Sequence, residues 1–233
     1  MRWFRREQRE DVPDPRTPWP HQEVPDDPEA AARRFWERWF ELLPETNAAL
    51  GDREPQRAEN ELAAAVAALH PDLHFSVERG QRAIYALVVT GQEDPALRLF
   101  TDAWKATAPP DDAIWEYHDS VPPVPDPSEV TVNLGAHRIS LADVRVAAHV
   151  DGIAGVVDVA VHHPELAELD EQARKAMTFL PLDATLGERL AGKRLRRVET
   201  AVAEPAESMS LLELRDLVRS LDERDDRNVG GAD

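Results

Sequence analysis

The chain has 233 residues, no cysteine and a formal net charge of −18, with 31% charged and 42% hydrophobic residues. Its length and apolar share suffice for a buried core, and the lack of cysteine rules out disulfides, iron–sulfur clusters, thiol catalysis and cysteine-based zinc sites. The negative charge opposes nucleic-acid binding, which needs clustered Lys and Arg against phosphates, and no apolar run approaches the roughly 18 residues of a transmembrane segment.

The opening MRWFRREQRE is basic but lacks the apolar stretch of a signal peptide, so a cytoplasmic location is expected. Only three of the 27 basic residues are Lys, an Arg preference that matches the coding bias of a GC-rich bacterial genome. Residues 11–28 carry six prolines, which favour an extended, solvated chain. Pro15-x-x-Pro18 fits the pattern that aromatic grooves bind, and Trp3 and Phe4 among arginines could touch a membrane surface; a plain tail explains both.

Helical periodicity begins at Phe35, Trp36, Trp39, Phe40 and Leu43, with arginines and Glu37 between them. Leu62, Val66 and Leu69 form the stripe of a second helix, which stops at His70-Pro71. The period then changes to two: Leu73, Phe75 and Val77 alternate with polar residues, and AIYALVVT reads as a central strand. Asp94-Pro95 opens a third helix with Leu97, Phe100 and Trp104 on one side, and IWEYHDS is a third strand. The four tryptophans at 36, 39, 104 and 115 read as core.

VPPVPDP, residues 121–127, reads as an internal loop because strand pattern resumes beyond it. Val130, Val132 and Leu134 alternate, and DVRVAAHV and IAGVVDVAVH flank Asp151-Gly152, a strong hairpin signal. A helix is expected from about Glu165 to Leu186, ending at Gly187, followed by a strand over 194–202. In that strand Arg194 and Arg196 would share one face, balancing acidic neighbours. A last amphipathic helix carries Leu211, Leu214, Leu217, Val218 and Leu221 on one face.

The order of FWERWF (35–40), LHPDLHF (69–75), ALVVTG (86–91), APPDDAIWEYHDS (108–120), the 143–162 hairpin and FLPLDATLGE (179–188) resembles a family of bacterial domains of unknown function over about residues 33–200. The resemblance implies an α+β domain with a largely antiparallel sheet and carries no activity with it. Two prolines depart from its pattern: Pro44 after the aromatic helix, and Pro181 in what is otherwise a continuous helix.

The organisation expected is therefore a disordered proline-rich arm over 1–29, one α+β domain over 30–203, and an amphipathic helix with an acidic tail over 204–233. Its sheet would be largely antiparallel, of about six to eight strands, with N-terminal helices and one long helix packed on it.

Chemistry-bearing residues are scattered. His162 and His163 are adjacent, so in a strand they point to opposite faces and cannot easily share a metal. No HExxH, P-loop, GxGxxG or GxSxG occurs, so no metal and no cofactor are expected. Asp183 and Glu188 in PLDATLGE could divide acid and base roles, and also suit a helix-end turn paired with Arg189, Arg194 or Arg196. His74 and His118 fall on strands expected to be neighbours, with Asp72, Glu116 and Asp119 nearby in sequence, and a His–carboxylate pair among them could do acid–base work. Two functions follow. The first is a non-catalytic protein-binding, adaptor or inhibitory (immunity-like) protein, whose acidic surface and C-terminal helix engage a basic protein partner. The second is a metal-independent, hydrolase-like enzyme using Asp183, Glu188 or His118.

Overall fold

The computed structural model describes residues 2–5, 24–92, 94–134 and 137–229, with 2–5 and 225–229 as backbone alone. The Pro15-x-x-Pro18 pattern lies outside them. The chain is α+β, but it forms two compact units, Met1–Val121 and Pro122–Asp233, where one domain was expected. The cause is visible in the cores. One buried cluster runs from Ala31 to Tyr117 and a second from Ile139 to Leu221, and the proline-rich 121–127 segment falls between them.

In the first unit β1 (Arg2–Arg5) precedes α1 (Pro28–Gly51), α2 (Gln56–Leu69), β2 (His74–Arg79), β3 (Tyr85–Thr90), α3 (Arg98–Ala106) and β4 (Trp115–His118). β1 pairs antiparallel with β2, so a disordered arm over 1–29 does not hold at its first residues. Asp27 caps α1, its carboxylate accepting from Ala30 N at 3.0 Å, and Pro28 takes the first turn, where its missing N–H costs nothing. Pro44 does not end α1, which runs on to Gly51. Phe40, expected in the apolar stripe, is exposed.

The sheet order is β1-β2-β3-β4, with β4 parallel to β3 through the α3 crossover. Phe75, Val77, Leu87, Val89, Trp115 and Tyr117 share one buried cluster with the helical aromatics. Trp36 stacks on Trp104 at 4.9 Å, and Trp39 meets Trp115 edge-on at 4.8 Å. Two of the indoles find close acceptors, Trp36 donating to Trp104 O at 2.9 Å and Trp115 to Asn47 Oδ1 at 2.9 Å, while the buried Trp104 Nε1 has none among the described residues. These tryptophans are core, as their spacing predicts.

The second unit contains β5 (Thr131–Leu134), β6 (His137–Ser140), β7 (Arg145–Asp151), β8 (Val156–His162), α4 (Glu171–Arg194), β9 (Leu195–Thr200) and α5 (Leu211–Val229). β5–β6 is a separate two-stranded ribbon, and β7-β8-β9 is a three-stranded sheet. Among the described residues no sheet exceeds four strands, because each unit closes its own small core instead of sharing one sheet. Both units use one local design, an antiparallel hairpin whose second strand continues through a helix into a parallel third strand.

The β7–β8 hairpin forms, but through four residues. Asp151 pairs with Val156, and Gly155, not Gly152, takes the left-handed conformation at φ 66°. The Asp151 carboxylate holds this loop by accepting from Ile153 N and Ala154 N. The following helix starts at Glu171, capped by Asp170, because residues 164–168 form a 3₁₀ turn first. Gly187 breaks α4 as expected, at φ 73°, after which the helix resumes to Arg194. Among the described residues no helix is long and apolar enough to cross a membrane.

Candidate functional site

Of the three acids near the histidines in sequence, Glu116 is the one that meets His118. His118 Nε2 lies 3.1 Å from Glu116 Oε1; Glu116 is 1% exposed and the imidazole is half-buried. The Glu116 carboxylate also accepts from three successive backbone N–H groups of the loop between β2 and β3: Gln81 at 2.7 Å, Arg82 at 2.9 Å and Ala83 at 3.1 Å. Burial pushes its pKa up, but the Gln81 N–H, the His118 imidazole and the Arg82 and Ala83 N–H groups outweigh that and bring it down to about 2. An ionised carboxylate only accepts, so His118 Nε2 is the donor. His74 does not join them. It pairs with Thr90 on β3 while His118 pairs with Val88, so β3 stands between the two strands that the sequence placed side by side.

Asp183 and Glu188 lie on either side of the Gly187 break, Asp183 exposed on the first helical segment and Glu188 half-buried at the start of the second. They belong to the second unit and His118 to the first. The two histidines of VHHPELAELD diverge. His163, 1% exposed, accepts from Glu165 N at Nδ1 and donates from Nε2 to Ser140 O at 3.2 Å. His162 turns to Ala201 O at 3.1 Å. Among the described residues no group of three or more His, Asp or Glu side chains is set to hold a metal ion.

The C-terminal helix, expected to carry a binding stripe, spends it inside its own unit. Leu211, Leu214, Val218 and Leu221 are buried in the second core, and Leu217 is half-buried. Two arginines hold the helix there. Arg194, at the end of α4, meets Asp222 at 2.6 Å, while Arg215 of α5 donates to three carbonyls. The stripe is core, so it corrects the reading that offered it to a partner.

What α4 and α5 leave uncovered is the other face of β7-β8-β9. Across it run two rows, His149–Asp158–Arg197 and Ala147–Ala160–Glu199. A bulge in β9 leaves Arg196 opposite no residue of β8, so Arg196 and Arg197 are both exposed, and Arg194 does not share their face. Arg196 grips Asp158 with two bonds of 2.9 and 2.7 Å and reaches Asp151 at 2.9 Å. That contact holds Asp158 below the usual carboxylate range; Asp151 is lowered first by the Ala154 N–H and then by Arg196. Arg197 pairs with Glu199.

Past β9 the chain crosses to the far edge of the sheet, where Met209 and Val146 exchange two backbone hydrogen bonds of 2.9 Å. On the way Pro205 and Glu207 wall a depression of about 330 Å³ floored by Ala147 and Ala160. The sequence shows the β7–β8 alternation that places these residues on one face, but not the bulge or the crossing segment that shape the hollow. No protein-family model, no curated protein and no solved structure matches this chain.

Proposed function

We propose that this is a non-catalytic binding protein, an adaptor or an inhibitor, whose carboxylate surface engages a basic protein partner. One observation carries the reading: most of the described cations are already engaged within the chain. Arg38 and Arg57 pair with glutamates and an aspartate beside their helices, and Arg82 pairs with Asp111. Lys193 and Arg194 share Asp222, Arg196 holds Asp151 and Asp158, and Arg174 and Arg215 end on backbone carbonyls. With 45 acidic against 27 basic residues, the chain therefore offers a negative field with few cations left over among the described residues. Such a field speeds encounter with a cationic partner and repels nucleic acid. The test is capture with the tagged full chain from its native cell: reproducible partners with basic surfaces are expected, and their absence contradicts the proposal.

A second reading, a metal-independent enzyme of hydrolase type, has one observation in its favour. Glu116 holds His118 through Nε2 at 3.1 Å, a buried carboxylate orienting an imidazole as a general base would be oriented. Turnover of an ester or amide panel that His118→Asn abolishes, with the fold retained, would establish it.

A further inference from the structure

We propose that the free edge of β7 and the depression beside it form one docking site for an extended basic segment of a partner protein, which adds a strand at Ala148–Val150 and lays an arginine or lysine over Ala147 and Ala160. This deepens the binding reading and rests on it.

The edge comes first. β7 pairs with β8 on one side only, and on the other Val146 spends its N–H and C=O on Met209. Outward-facing backbone groups recur every second residue, so those of Ala148 and Val150 come next, and they meet no backbone partner among the described residues. An unpaired edge of this kind is a template for an added strand.

Side-chain chemistry then selects the occupant. The alanine pair keeps the centre of the face low while its surroundings carry long side chains, leaving a hollow of about 330 Å³. A long aliphatic stem can lie over Ala147, Ala160 and Pro205 while its charged head reaches water and carboxylates. Four carboxylates, Asp151, Asp158, Glu199 and Glu207, share this face with His149 and two guanidiniums, Arg196 and Arg197, while Arg145 of β7 donates to the carbonyls of Ala142 and Val144. The two guanidiniums are held by Asp151, Asp158 and Glu199, whereas Glu207 has no cation among the described residues. The face therefore favours a positive guest.

The probe is the synthetic peptide acetyl-Val-Arg-Val-Arg-Val-amide, titrated into the full chain and followed by NMR. The expected result is slowed amide exchange at Ala148 and Val150, with shifted methyl signals of Ala147 and Ala160. Its counterpart with Asp in place of Arg should not bind. Ala160→Arg fills the hollow from a half-buried position and should weaken peptide binding at least about tenfold; Glu207→Gln, on the exposed rim, should weaken it without altering the fold. Equal binding of the Asp peptide, or unchanged affinity in both variants, overturns the proposal. Arg-peptide binding elsewhere on the chain overturns this site alone, whereas no peptide binding together with no partner in native capture overturns the binding reading as well.

Discussion

The guanidinium of Arg215 donates to the carbonyl of Thr185 at 2.7 Å, at the point where α4 breaks. Gly187 turns the chain out of the helix and removes the ordinary partners of the preceding carbonyls. Ala184 O instead accepts from Val124 N, and Arg215 also reaches Pro125 O and Val124 O at 2.8 and 2.7 Å. One buried side chain thus seals a helix break and ties the proline-rich connector to it. Arg215→Met should destabilise the second unit by about 2–4 kcal/mol, because it strands buried carbonyls. Arg215→Lys should recover only part, since an ammonium lacks the planar fork. Denaturant unfolding checks both.

Gly187→Ala tests the same junction from the backbone. At φ 73° a Cβ is strained, so the substitution should cost about 1–2 kcal/mol, where Gly152→Ala, in open space, should cost little. Equal effects in thermal unfolding would contradict the assigned turn.

Glu116 predicts an acid-sensitive first unit. Its folded pKa, about 2, lies below the ordinary 4.5, so its stabilisation is fully present above pH 4.5 and is lost as pH falls toward 2. At neutral pH the contribution is on the order of 3 kcal/mol. Glu116→Gln should therefore be less stable at pH 7, and the gap to wild type should shrink steadily between pH 4.5 and 2. A gap independent of pH would contradict the nest of N–H donors.

Leu214→Ala should cost about 2.5–4 kcal/mol, as expected of a core leucine, while Leu212→Ala, 40% exposed, should be close to neutral. Native-state hydrogen exchange should show α5 opening together with the second core. Independent fraying of α5 would restore it as a candidate partner helix.

Much of this fold is legible in the sequence because its signals are local. The strand at His74–Arg79 and the amphipathic stripe of α5 emerge where their patterns place them, and Asp94-Pro95 opens a 3₁₀ turn that leads into α3. Signals made across distance are not legible. Strand pattern on both sides of 121–127 hides a unit boundary, since periodicity cannot say which strands share a core. The bulge at Arg196 shifts β9 out of simple alternation, so Arg196 and Arg197 both turn outward. Nothing in the sequence separates Glu116 from Asp72 and Asp119 as a histidine's partner, because the three backbone donors that hold it lie more than thirty residues away. Asp183 and Glu188 stand close in sequence, yet Gly187 separates the helical segments that carry them.

The binding proposal is tested most directly by native-cell capture at two ionic strengths, comparing the full chain with a Glu199→Lys, Glu207→Lys variant. Raising salt from about 0.05 to 0.5 M shortens the screening length severalfold, so a partner held by charge should be retained at low salt and released at high salt. The account predicts a basic partner, lost with salt and lost in the charge-reversed variant. A partner captured equally by both chains at both ionic strengths would contradict it.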